Sequence, residues 1–195
     1  MKICPQWLSA LLRFAEDWQE TLNVNLTAPF ILGQAAAPHL KKTNGLITFI
    51  SSVHGVLAAP SRTMYAVSKA GLIAMARNMA ADLSPDGIRV ISLILGPFGS
   101  PALAEGVSRF FPGDTAEDAL NKFARLQPLG RIGSAGDLAD LIGFLMSDAA
   151  GFITGTSITI DGGLSSRLAV PEIKGPEIRG REIRGREVGG REIDP

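Results

Sequence analysis

The run Ile88 to Leu95, IRVISLIL, constrains the fold more than any other stretch of this chain. It is too short for a buried helix, and it lacks the apolar–polar alternation of a strand with one wet face. A strand that is apolar on both sides is buried on both sides, as in a parallel sheet covered by helices above and below. Leu46 to Ser51, LITFIS, has the same character and is rich in β-branched residues. Thr156 to Ile160, TSITI, reads as a third short strand, ended by Asp161-Gly162-Gly163.

The segments between these strands carry helical periodicity. From Glu16 to about Leu40, Trp18, Leu22, Leu26 and Phe30 recur at near-helical spacing, and Val24 and Ile31 widen the stripe. Pro29 is expected to kink this helix, and Pro38 with Thr43-Asn44-Gly45 ends it. Thr63 to Leu83 reads as a helix crowded with small residues, Ala66, Ser68, Ala70, Gly71 and Ala74 among them, which permits close packing. Ser84-Pro85-Asp86-Gly87 turns the chain into the central strand. A helix over Asp137–Ser147 follows the box-like Ser134-Ala135-Gly136-Asp137. Strand, helix, strand, helices, strand makes half of a doubly wound α/β fold, in which ligands bind beyond the carboxyl ends of the strands.

The stretch from Pro97 to Leu129 is rich in Gly, Pro and Phe. It reads as a mobile lid with one short helix after an Asp114/Glu117 capping box. From Pro171 the chain repeats every five residues, PEIKG PEIRG REIRG REVGG REIDP. That period fits neither helix nor strand, and one Ile or Val per repeat is too little to bury, so a disordered tail is expected. The expected organisation is an N-terminal segment at 1–15, one domain at 16–166 and the repeat tail at 167–195.

A net charge of zero argues against nucleic-acid or membrane-surface binding by bulk electrostatics. No window of the chain is apolar enough to span a membrane, and the N-terminus has no signal-peptide pattern. The single cysteine, Cys4, cannot form an internal disulfide. A cytoplasmic setting is the expectation.

The chemistry concentrates between Ser52 and Lys69, SVHGVLAAPSRTMYAVSK. The first strand delivers Ser52 into a loop, and a helix then carries Tyr65 and Lys69 one turn apart on one face. A lysine ammonium beside a phenol favours the phenolate, which makes the tyrosine usable as a proton donor and acceptor near neutral pH. Singly these residues are unremarkable: Ser52 can cap a loop, and an exposed i,i+4 pair contributes only a few tenths of a kcal/mol. His54, alone in the loop, is ordinarily a surface residue. Asn25, within the first helix, is a poor helix former and ordinarily a tolerated polar residue on a wet face.

Taken together, Ser52, Tyr65 and Lys69 in Y-x-x-x-K spacing resemble the active site of the short-chain dehydrogenase/reductase family. DWQETLNVNLTAPF is similar to the family's helix that carries an active-site asparagine, here Asn25. ISLILGPFGSP resembles its Pro-Gly segment after the sixth strand, and LGRIGSAGDLADLIGFLMSDAAGFITGTSITIDGG its C-terminal segment. The resemblance spans about residues 16 to 164 and implies a partial Rossmann-like sheet. It implies hydride transfer between NAD or NADP and an alcohol or carbonyl carbon of a small-molecule substrate, with no metal. Tyr65 is then the general acid or base, Lys69 holds the nicotinamide ribose, Ser52 binds the substrate oxygen and Asn25 holds a water in the proton relay. Gly96, Phe98 and Ser100 lie where the family contacts the nicotinamide. The helices at 16–40 and 63–83 resemble those of the family's dimer interface, which implies a homo-oligomer or pairing with relatives.

Four features depart from the family pattern, three of them mildly. Ile91 stands at the strand asparagine, Leu95-Gly96 replaces Pro-Gly, and Ser100 replaces a threonine. The largest departure is that no G-x-G-x-x-G or G-x-x-x-G-x-G occurs in the 195 residues. That turn cradles the cofactor pyrophosphate against a helix N-terminus. Without it, weak cofactor binding is the expectation, and a non-catalytic interaction partner or an inactive truncated product is the alternative function. An exposed sheet edge with apolar faces is expected beside the first strand.

Overall fold

The computed structural model describes residues 15–108 and 111–166. The repeat tail, Cys4 and the N-terminal segment to residue 14 lie outside the described residues. A three-stranded parallel sheet forms the centre, in the order β1 (Leu46–Ser52), β2 (Arg89–Leu95), β3 (Ser157–Ile160). Leu46 is in register with Arg89 and Ser52 with Leu95, while Ser92 pairs with Ser157 and Leu95 with Ile160.

β2 is buried as its composition requires: Val90, Ile91 and Leu93 are fully buried. Alternate side chains serve two cores, because successive residues of a strand point to opposite faces. Val90 joins Ile47, Phe49, Leu72, Ala76 and Met79 on one side. Ile91 and Leu93 join Leu145 and Ala150 on the other. The first side is covered by α3 (Thr63–Leu83) and α2 (Ala28–Leu40), and the second by α6 (Ala135–Met146). This is the Rossmann-like arrangement of a parallel sheet between helical layers.

The small residues work as spacers. A Cβ on Gly71 of α3 would lie 2.8 Å from Leu26, and one on Gly33 of α2 would lie 3.0 Å from Met79. α6 opens with the anticipated capping box: Ser134 accepts from the Asp137 N–H, and the Asp137 carboxylate accepts from the Ser134 N–H. Arg131 clamps the same carboxylate through two bonds of 2.7 Å and holds it well below the usual carboxylate range.

The structure corrects three expectations. The long first helix is α1 (Ala15–Leu22), then a π-helical turn over Asn23–Thr27, then α2. Pro29 has no N–H for the Asn25 carbonyl, so the backbone widens and the Ala28 N–H reaches back to the Asn23 carbonyl. The distortion therefore falls one turn before the proline. The Pro97–Leu129 stretch holds two helices, α4 (Pro101–Ser108) and α5 (Ala116–Ala124), where one was expected. Pro101 is tolerated in α4 because a first-turn N–H has no helical partner to lose. The cap of α5 is Thr115, which accepts from the Asp118 N–H at 3.1 Å, while Asp114 pairs with Lys122 at 2.6 Å.

Candidate active site

Three of the predicted residues, Ser52, Tyr65 and Lys69, lie where β1 ends and α3 begins, and Asn25 reaches α3 through Ser68. β1 carries Ser51 and Ser52, both buried, to its carboxyl end. The Ser51 hydroxyl donates to the Lys69 carbonyl at 2.8 Å, which ties the strand end to the first turns of α3. The Lys69 ammonium donates to the Ile50 carbonyl at 2.9 Å and lies 5.6 Å from the centre of the Tyr65 ring. Burial pushes the Lys69 pKa down, because the half-buried ammonium has lost part of its water.

Asn25 is anchored through Ser68, which the sequence marks only as one of the small packing residues of the Thr63–Leu83 helix. Its amide donates to the Ser68 hydroxyl at 3.2 Å, and that hydroxyl donates to the Tyr65 carbonyl at 2.7 Å. Ser68 is fully buried. It links the π turn to the backbone of α3. The π turn thus presents Asn25 to α3, a placement that π bulges often serve.

Ser52 has extended backbone and accepts from the His54 N–H at 3.2 Å. Its own O–H is uncommitted among the described residues, as is the Tyr65 hydroxyl. The His54 ring meets the Tyr65 ring edge-on, with centroids 6.0 Å apart. Burial, and then the charge of Arg62, lower the His54 pKa, so the imidazole is neutral at physiological pH.

Ser52 and His54 open onto a cavity of about 400 Å³, walled on the far side by Leu103, Val107 and Phe123 of α4 and α5 and floored by Gly96 and Pro97. Gly96 is forced by packing. Its N–H donates to the Ile160 carbonyl at 3.0 Å, and a Cβ there would lie 2.6 Å from the Asp161 Cα. The Asp161 carboxylate takes the Gly163 and Ser165 N–H groups at 2.9 and 2.7 Å. Burial pulls its pKa upward, but these hydrogen bonds outweigh it and the net shift is down.

Phe98 and Ser100 make none of the hydrogen bonds of the serine–tyrosine–lysine cluster. Phe98 pairs in a β-bridge with Gly133, and the Ser100 hydroxyl accepts from the Leu103 N–H at 3.1 Å as the cap of α4. Lys69 and Asn25 line a second cavity, of about 540 Å³, between α2 and β1. Among the described residues no group of three or more His, Cys, Asp or Glu side chains is placed to hold a metal. No described helix is long and apolar enough to cross a membrane.

Comparison with known proteins agrees with this geometry. A family model described as enoyl-(acyl carrier protein) reductase matches residues 10–165. The chain belongs to the short-chain dehydrogenase/reductase family. It is 39% identical over 150 residues to a 3-oxoacyl-(acyl-carrier-protein) reductase of Thermotoga maritima, covering 76% of this chain and 57% of that one. Among solved structures it is similar to a gluconate 5-dehydrogenase of Burkholderia cenocepacia in complex with NADP and tartrate, with a TM-score of 0.69 and 30% identity, covering 80% of this chain and 59% of that one. It is also similar to a 4-hydroxyisoleucine dehydrogenase complexed with NADH, with a TM-score of 0.70 and 32% identity, covering 81% and 63%. The chain thus spans little more than half the length of the curated relative.

The residues present fit one end of a nicotinamide cofactor. A half-buried ammonium, an uncommitted phenol and a strand-end glycine cluster at the carboxyl edge of the sheet, where such folds bind nucleotides. A glycine-rich pyrophosphate cradle has no counterpart in the sequence.

Proposed function

We propose that this chain forms the catalytic portion of an oxidoreductase that moves hydride between NAD or NADP and an alcohol or ketone carbon. The observation that carries this is the convergence of Ser52, Tyr65 and Lys69 at the end of β1, with both the serine and tyrosine O–H groups uncommitted. In the reducing direction the substrate oxygen accepts a hydrogen bond from Ser52 and takes the Tyr65 proton as its carbon becomes that of an alcohol. Lys69, fixed by the Ile50 carbonyl, would hold the nicotinamide ribose. Asn25, braced by Ser68, holds the water that returns a proton. The loop from Gly96 would hold the carboxamide, through backbone near Phe98 and the Ser100 hydroxyl. When bound, the nicotinamide supplies or accepts the hydride, and the protein orients the partners.

Replacing Tyr65 tests the reading. Tyr65→Phe removes the proton donor and leaves the ring in place, so carbonyl-dependent oxidation of NADH or NADPH is expected to fall by about 10²–10⁴. Equal rates for variant and wild type would overturn it.

A second role has its own support. Val24, Phe30, Ile31 and Leu32 of the first helices and Ile50 of β1 are exposed, and among the described residues β1 is the edge strand of the sheet. Exposed apolar surface beside an unpaired strand suits association with another chain. Trp18 and Val67, on the helices at 16–40 and 63–83, are exposed as well, which fits a homo-oligomer or pairing with a relative. Size-exclusion chromatography of the chain alone, and after co-expression with a full-length relative, tests this; a strictly monomeric chain in both would contradict it.

A further inference from the structure

The cavity beside Ser52 is asymmetric in charge. Its walls are apolar on the α4–α5 side, where Leu103, Val107 and Phe123 line it. His54 and Arg62 also line it, and among the described residues no acidic side chain does. Among the described residues the Arg62 guanidinium has neither an ion pair nor a hydrogen bond. An exposed arginine is ordinarily a solvated surface charge. Arg62 differs because it shares a cavity wall with the serine that faces the reacting oxygen. Its charge also acts on the His54 ring, which in turn meets the ring of Tyr65.

We infer that Arg62 and His54 form an anion-binding subsite, so that the substrate is a carbonyl or hydroxy compound carrying a carboxylate or phosphate. This rests on the reading that the cavity receives the oxidoreductase substrate. With the reacting oxygen at Ser52, the anionic end lies toward the loop before α3 and the hydrocarbon portion lies against α4 and α5. A planar guanidinium takes two carboxylate or phosphate oxygens in a fork, and a neutral imidazole adds one N–H donor. Leu103, Val107 and Phe123 across the cavity offer an anion no charged partner. A neutral ketone of the same size leaves the guanidinium without a partner and so gains nothing from it.

The test uses the whole chain and reads binding apart from turnover. Acetoacetate, 4-oxopentanoate and 5-oxohexanoate vary the reach between carbonyl and carboxylate, and the methyl ester of each removes the charge. Binding is followed by the His54 ring-proton NMR signals and by calorimetry. At least one keto acid is expected to bind about tenfold more tightly than its ester, to shift the His54 signals, and to lose that preference in Arg62→Gln. Acid and ester binding equally, an acid preference untouched by Arg62→Gln, or no binding by any of the three acids would each overturn the inference. Hydride transfer is measured separately on the same samples. A retained acid preference without turnover would count against the oxidoreductase reading while supporting the anion subsite.

Discussion

Gly96→Ala probes the junction on which the site is built. The added methyl carbon would stand 2.6 Å from the Asp161 Cα and 3.2 Å from the Asp161 carbonyl oxygen. Ordinary van der Waals contact begins near 3.4 Å, so β3 must move by most of an ångström relative to β2. The obstacle is backbone, not the end of a flexible side chain, and the Asp161 turn it displaces carries two hydrogen bonds. Overpacking of this kind costs about 1–3 kcal/mol, and a backbone obstacle places Gly96→Ala near the top of that range. For a domain of this size each kcal/mol lowers Tm by roughly 2–4 °C, so a fall of about 6–10 °C is expected in calorimetry. Gly143→Ala is the control. A Cβ there meets nothing within 4 Å, and an exposed helix-interior alanine gains about 0.5–1 kcal/mol over glycine. The reasoning fails if Gly96→Ala melts within about 2 °C of wild type, or if the two variants shift in the same direction.

Ser68→Ala is expected to destabilise by about 1–2 kcal/mol, measured by urea titration, because it strands the Asn25 amide; in a double-mutant cycle with Asn25→Ala the two losses should be less than additive. Gln127 is buried with both amide atoms unpartnered among the described residues, so Gln127→Met should raise Tm by a few degrees, roughly 1–2 kcal/mol. The Asp161 carboxyl has a depressed folded pKa, so its contribution to stability is present above its unfolded value near 3.8 and is lost as pH falls through the folded value. Asp161→Asn should therefore be less stable than wild type at neutral pH, with the gap closing below about pH 4 in acid-titrated thermal melts.

The central strand was readable in the sequence because burial on both faces leaves an uninterrupted apolar run, and IRVISLIL has no other soluble use. The Thr63–Leu83 helix and the Ser134/Asp137 box were readable for similarly local reasons, a small-residue spacing pattern and a capping pair. The π turn was not, since a proline reports where a helix is disturbed but not which upstream turn absorbs the change. The helix over Pro101–Ser108 is hidden in the sequence because proline and glycine are ordinarily helix breakers, although a first-turn proline breaks nothing. In the site, Tyr65 and Lys69 share a helix and their neighbourhood follows from periodicity. The Asn25–Ser68 bond spans 43 residues and the Lys69–Ile50 bond spans 19, and such contacts exist only once the sheet has placed its helices. Arg62 and His54 meet at the cavity because the loop between them folds back, for which no local pattern codes.

Direct titration with NADH and with NADPH, followed by nicotinamide fluorescence, tests the central claim, that Tyr65 and Lys69 form a cofactor-linked catalytic site in this chain. The account predicts saturable binding of at least one of them at or below about millimolar concentration. It also predicts at least a tenfold weakening in Lys69→Met without loss of the cooperative melt. No binding at millimolar cofactor by a folded chain, or binding indifferent to Lys69→Met, would contradict it.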